Sequence, residues 1–468
     1  MMTSINKRST SKKSKASMRN DGRDRLSELP DEILVHILSF LPILDAVRTV
    51  SICRFGNLWT LIPSLVFKET EFFVPKYWPG GAIDIDEQIP RFTRFVRNVL
   101  MLHKGLPVNK FLLEIDPIDD QEMVDLDVWI RFAIDRQVKE LYVQFGPSGY
   151  SYDINLPRSV FTSQFLVILE LIEGNIEGLS SVQMGSLRKL SLNCVKVSNE
   201  MLKKVIFGCP SLQELILYHA YDLDEVRFTA PNVEKLHIDS DQISVLDCPN
   251  LKILNVHLSC RTGSYLQVVN IPSVREVLIS SMPQFDKFLN KICKAEVVKI
   301  QYEAFQQSNF KELDIPQTRW KCLHIESRLD EDQLIGICRV LRSSPYLEDL
   351  IVFTTLWGNL RRKSDKTHDH HMLSSPCVIP QLKTVTVPCQ GLLRLAEFLL
   401  KSSVNLEKLI YTSVRLAAAS LLLNLDFGLS MMVVILLDCW TWQSEESFYV
   451  ADQSEMIVKL FYTKVFEF

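Results

Sequence analysis

The chain has 468 residues, is 47% hydrophobic and 23% charged, and carries a formal net charge of -4. That length exceeds what one compact core holds and predicts either roughly two to four domains or a repeat array. The composition is that of a globular protein, and a near-neutral balance argues against nucleic acid as a partner, which needs concentrated Lys and Arg. Eleven cysteines, an odd number, stand singly between Cys53 and Cys439 without a CxxC pair. This excludes zinc-knuckle and thioredoxin-type sites and predicts reduced, mostly buried small hydrophobes.

Residues 1–23 hold Lys7, Arg8, Lys12, Lys13, Lys15 and Arg19 among Ser, Thr and Asn, with no apolar run. They predict a disordered basic tail and not a signal peptide. A nuclear localisation signal and a solvated arm both fit, and the expected location is the nucleus and/or cytoplasm.

Residues 24–70 form the first module. Pro30 suits the start of a helix, and Asp31 and Glu32 place negative charge at its positive end. Ile33, Leu34, Ile37, Leu38 and Leu41 follow at helical spacing. Pro42 ends that helix and Asp45 is the expected cap of a second, which carries Val47 and Val50. A third segment offers Leu58, Trp59, Leu61 and Ile62. So small a hook, with so many apolar residues, predicts an exposed face for a partner.

The string LPDEILVHILSFLP, followed by a D-A-V helix and a closing aromatic, resembles the F-box of plant proteins. The resemblance implies docking to a Skp-type adaptor, and through it to a cullin. The adaptor-contacting positions it implies are Leu29, Pro30, Ile33, Leu34, Ile37, Leu38, Leu41, Pro42, Val47, Val50 and Trp59. Related F-boxes often read SKRWRxLW where this chain has ICRFGNLW at 52–59. Phe55 and Gly56 therefore predict weaker adaptor binding, Gly being worse than Ala in a helix by about 1 kcal/mol.

Beyond residue 70 the chain is governed by repetition, with the leucine-rich repeats over residues 71–340 and related segments continuing after them. CPSLQELIL, APNVEKLHI, CPNLKILNV, IPSVREVLI, SPYLEDLIV and IPQLKTVTV share x-Pro-x-L-x-x-L-x-L, with other apolar residues allowed at the Leu positions. VKELYV, LRKLSL, WKCLHI and LEKLIY fit without Pro. The central apolar residues are Leu190, Leu215, Leu236, Leu254, Val277, Val298, Leu323, Leu350, Val385 and Leu409, mostly at leucine-rich-repeat spacing. The predicted fold class is α/β: a three-helix F-box, then an irregular solenoid whose curved parallel sheet carries helices and loops on its convex side. The Asn or Cys usual beyond each strand is replaced by Val195, Ala220, Asp241, Ser259 and Met282. Residues 341–415 resemble the FBD region that follows the repeats of plant F-box proteins, with a helix at 392–401 and the role of closing the array.

Residues 416–468 break the pattern. The apolar run 416–437 approaches a membrane span in length, yet Asn424, Asp426 and Gly428 interrupt it, so a buried tail is favoured over a membrane anchor. His368, Asp369, His370 and His371 lie in a polar loop with no further ligand placed to complete a metal shell. No nucleotide-binding or nucleophile-elbow motif is present. Neither a catalytic residue, a metal nor a cofactor is expected.

The function predicted is the substrate-recognition subunit of a Skp–cullin–F-box ubiquitin ligase, not itself an enzyme, with a protein target on the solenoid. The alternative is a non-ligase repeat scaffold with a degenerate F-box. In L-x-x-L-x-L strands the intervening residues face the open side, which nominates Lys189, Ser191, Asn193, Glu214, Ile216, Tyr218, Lys235, His237, Asp239, Asn255 and His257 for the target. Later repeats add Glu276, Leu278, Cys322, His324 and Glu326. The competing expectation is that segment 71–137 covers this face.

Overall fold

The computed structural model describes residues 26–413, except 27, 53, 73–84, 105–106, 117–119, 147–153, 221, 224–225, 241–242, 259–265, 282–284, 302–314, 328–330, 355–377 and 389–392, together with 432–437 and 457–459. The basic tail, the cluster at 368–371, most of 416–468, and Asp241, Ser259 and Met282 lie outside the described residues.

The hook begins with α1 (Asp31–Leu38). Pro30 sits at its cap, one place before the first turn, and its carbonyl accepts the amides of Ile33 and Leu34 at 3.1 Å. Helix α2 (Ile43–Arg48) starts in the same way from Pro42. Asp45 is thus not the cap: it lies in the first turn and pairs with Arg48 at 2.8 Å. The third segment is a short 3-10 helix, Leu58–Leu61, and not an α-helix. Gly56 precedes it in an irregular turn, where its low helix propensity costs nothing.

The solenoid starts earlier than the repeats predicted. Its strands are β1 (Ser64–Lys68), β2 (Lys110–Ile115), β3 (Glu140–Phe145), β4 (Ile168–Ile172), β5 (Lys189–Asn193), β6 (Glu214–Tyr218), β7 (Val226–Thr229), β8 (Lys235–Ser240), β9 (Ile243–Asp247) and β10 (Ile253–Leu258). They continue as β11 (Leu266–Asn270), β12 (Glu276–Ser281), β13 (Val297–Ile300), β14 (Cys322–Ser327), β15 (Asp349–Thr354), β16 (Thr384–Pro388), β17 (Lys408–Ser413), β18 (Met432–Leu437) and β19 (Ile457–Lys459). All but β7, β9 and β11 join one sheet in chain order. Every neighbouring pair in it is parallel except β18 with β19. β1 lies inside the segment assigned to the hook, so the boundary of the first module falls before residue 64. The sheet does not close at 415 either: β18 pairs in parallel with β17, and Val433 stands beside Leu409.

The helices are α3 (Ile85–Leu102), α4 (Asp120–Asp135), α5 (Asn199–Gly208), α6 (Phe285–Ile292), α7 (Glu331–Arg342) and α8 (Leu393–Ser402). The described part of segment 71–137 builds repeats, as α3, β2 and α4, and does not cover the open face. Its Phe92 and Trp129 are buried in the common core. Between α5 and α6 the second layer changes from helix to a three-stranded sheet of β7, β9 and β11. The sequences VRFT, ISVLD and LQVVN are rich in Val, Ile and Phe and lack the i, i+3, i+4 spacing of Phe285, Phe288 and Leu289 in α6.

Every predicted marker residue lies on one inward row. Leu190, Leu215 and Leu236 stand side by side, as do Leu254 and Val277, and the row runs on to Leu409 with at most 1% exposure. Each strand of the long sheet from β2 to β17 opens with two amides converging on one carbonyl of the previous repeat. Glu234 and Lys235 both donate to the Gln213 carbonyl, at 2.8 and 3.0 Å, and Lys252 and Ile253 to that of Glu234. The missing asparagine ladder exists at the opposite end of the strand. Asn232 donates to the Pro210 carbonyl and Asn250 to that of Pro231, each at 2.8 Å, and Asn405 to that of Pro380 at 2.7 Å.

Leu254→Ala removes a fully buried side chain from this row and is expected to cost about 2–5 kcal/mol. Asn250→Ala removes one neutral hydrogen bond and is expected to cost about 1 kcal/mol. Thermal melts of the two variants check this order; equal losses would show that the asparagine ladder carries as much as the apolar row.

Candidate functional site: an exposed hook fused to an open sheet

The implied adaptor positions fall into two sets. Ile33, Leu41 and Val50 are exposed, as are Pro30 and Pro42, while Leu29, Ile37 and Val47 are half-buried. Leu34, Leu38 and Trp59, at 0, 2 and 5% exposure, are buried in the core. They fill the space between α1 and the 3-10 helix and hold the outward residues in place. Three exposed apolar residues were missed: Leu26, Phe40 and Ile52, with Phe40 the most open at 75%. Phe40 stands edge-on to His36, ring centroids 4.9 Å apart. The signal lay in the sequence, since Phe40 falls off the face that Leu34 and Leu38 bury. Phe55 is itself buried at 5%, while its amide donates to the carbonyl of exposed Ile52 at 2.9 Å.

The hook is not a separate bead. Its buried residues belong to one cluster running from Leu34 to Leu409. The Thr60 carbonyl accepts the Lys104 amide at 3.1 Å, and the Pro63 carbonyl accepts the Asn109 amide at 2.7 Å, so the first rungs of the solenoid are built on the hook. His103 is buried at this junction, with Nε2 3.1 Å from the Ile62 carbonyl oxygen and Nδ1 without a partner among the described residues. Burial holds its pKa below the ordinary histidine value, and nearby Arg136 adds to this; the Ile62 carbonyl pulls the other way.

The open face of the sheet carries the target residues nominated from sequence, but not all are available. Ser191 and Asp239 are each 6% exposed and belong to the fold, the latter lying 3.6 Å from His219 Nδ1. Lys189 and Lys235 flank Glu214 at 3.4 and 3.7 Å, so their charges are largely answered within the chain. His237 receives a 2.8 Å contact from Asn255 and is held below its ordinary pKa by burial. Asn193, Ile216 and His257 are half-buried, and so are Glu276, Leu278, Cys322, His324 and Glu326 on the later strands. Tyr218, at 47%, is the openly exposed aromatic among the nominated residues, its ring 4.3 Å from that of His219. The buried thiols of Cys209 and Cys248 are pushed up to about 12 by burial, which fits packing residues and not nucleophiles. No group of metal-binding side chains occurs among the described residues. Residues 432–437 form a strand, and no helix among the described residues is long and apolar enough to cross a membrane.

Comparison with known proteins agrees with this architecture. Residues 26–55 match the F-box domain family, and residues 126–352 match a family described as the leucine-rich repeats of FBD-associated F-box protein At5g56370. The Arabidopsis thaliana FBD-associated F-box protein At5g56380 is 29% identical over 357 residues, covering 70% of this chain and 78% of that protein. The F-box/FBD/LRR-repeat proteins At5g56420 and At4g26340, from the same plant, are 32% and 31% identical, and each alignment covers 54% of this chain and 59% of the relative. The chain is thus similar, over its hook and its repeats, to plant F-box and leucine-rich-repeat proteins.

The junction has a pH signature. A histidine whose folded pKa lies below its unfolded value of about 6.5 stabilises the fold above that pH, and the contribution is lost as pH falls through the folded value. His237 and His324 shift in the same direction, so the wild-type melting temperature is expected to drop between pH 7.5 and 5.5. His103→Gln keeps a donor toward Ile62 but cannot titrate. Its drop should be smaller; an identical pH profile would remove His103 from the account.

Proposed function

We propose that this chain is the substrate-recognition subunit of a Skp–cullin–F-box ubiquitin ligase. The observation that carries the reading is the hook. Six large apolar side chains, Leu26, Ile33, Phe40, Leu41, Val50 and Ile52, are exposed on it while Leu34, Leu38 and Trp59 anchor it to the core. Exposed apolar surface of that density on so short a segment marks a protein-docking face. A Skp-type adaptor, and through it a cullin, is the partner the F-box family supplies. The chain then contributes no chemistry of its own. It raises the effective concentration of a target lysine near a loaded enzyme. The basic N-terminal sequence supports action in the nucleus and/or cytoplasm.

Ile33→Asp combined with Leu41→Asp should reduce adaptor co-precipitation at least tenfold with little change in melting temperature, since both residues are exposed. Adaptor binding at wild-type level would overturn the reading. The target is placed on the open face around Tyr218. Tyr218→Ala should weaken capture of a ubiquitinated target while adaptor binding and stability stay unchanged; a lower melting temperature instead would make Tyr218 a packing residue.

A further inference from the structure

The change of the outer layer from helix to strand leaves a step. Helix α5, about 10–12 Å across with its side chains, is followed in the next repeat by β7, a thinner layer. β7 packs beside α5 but leaves Lys203 and Phe207, in the last turns of the helix, exposed. The step is a notch of about 610 Å³. One wall is Lys203, Ile206 and Phe207 from the last turns of α5, and the floor is Leu212, Ala230 and Pro231. The floor is pinned, because Asn232 donates to the Pro210 carbonyl across it at 2.8 Å. The wall is pinned too. A Cβ at Gly208 would lie 2.3 Å from the Val182 carbonyl oxygen, so the end of α5 is drawn in tightly there. Above this rigid surface Phe207 is 90% exposed, the most open of the large apolar residues described.

We propose that this notch is a second docking site, on the face opposite the open sheet, for a partner segment that pairs a large apolar side chain with a carboxylate. The volume falls within the range of about 300–1,000 Å³ typical of ligand sites, and the floor residues are apolar. Among the described residues, Lys203 is the one charged residue in the lining and no carboxylate lines the notch. Lys203 makes no ion pair among the described residues, whereas its neighbour Lys204 donates to the Leu179 carbonyl at 2.8 Å. An apolar side chain would fill the step beside Phe207, and an Asp or Glu next to it would reach Lys203. A basic segment would gain the same burial but meet an unanswered like charge. The site is independent of the ligase reading, since it uses neither the hook nor the open sheet.

The test is selection of random peptides displayed on phage against the immobilised full-length chain, in parallel with Phe207→Ser and Lys203→Glu. Both residues are exposed, and melting temperatures confirm that the variants fold. Peptides pairing Leu, Phe or Trp with Asp or Glu should be enriched at least tenfold over Phe207→Ser. The charge preference should turn toward Lys and Arg in Lys203→Glu. No enrichment, enrichment that survives Phe207→Ser, or a charge preference that Lys203→Glu leaves unchanged would each overturn the proposal.

Discussion

A repeat of some twenty residues cannot hide its own leucines, and the fold answers that one constraint. Each L-x-x-L-x-L unit has a single strand and an apolar side that must lie against the next unit. The parallel register follows, because it alone stacks Leu190 on Leu215 and Leu215 on Leu236 without a break. The paired amides that meet each preceding carbonyl fix the spacing at the start of every long-sheet strand from β2 to β17. What the outer layer does is secondary. It is helix where the sequence offers a helical apolar face and strand where it offers short β-branched runs, and the inner row is the same beneath both.

This explains which parts of the fold were legible. The inner row was readable residue by residue because burial demands apolar side chains at fixed spacing. The strands β1 and β2 were not recognised because alternation is blurred in both. Leu112 in KFLLEI and Val66 in SLVFK are apolar at outward positions, so the period of two is hidden. The asparagine ladder was sought beyond the strands, where the turns are instead left-handed: Glu173, Cys194 and His219 each follow a strand with φ between 48 and 62°. The ladder proved to be written in the APN, CPN and SVN triplets that precede them.

The candidate surfaces were less legible for a different reason. Helical spacing says that Ile33 and Leu34 lie near one face, but not which of two adjacent leucine-type residues a later segment will cover. That segment is the 3-10 helix with Trp59, whose burial takes Leu34 and Leu38 with it. On the open sheet, alternation placed the outward residues correctly, yet it could not show that Lys189, Glu214 and Lys235 answer one another or that Asp239 sinks to 6% exposure. Position along a strand fixes direction; availability depends on neighbours from other repeats.

The fused junction makes the solenoid a ruler. Because the hook and β1 share one core and the first rungs hang from Thr60 and Pro63, no free joint separates the two, and every later strand stands at a set offset from the hook. Neighbouring strands are about 4.8 Å apart, so a partner seated one repeat further along is carried that much farther from anything bound to the hook. Gaining or losing a whole repeat between them would keep both surfaces intact and change only the reach and the angle between them.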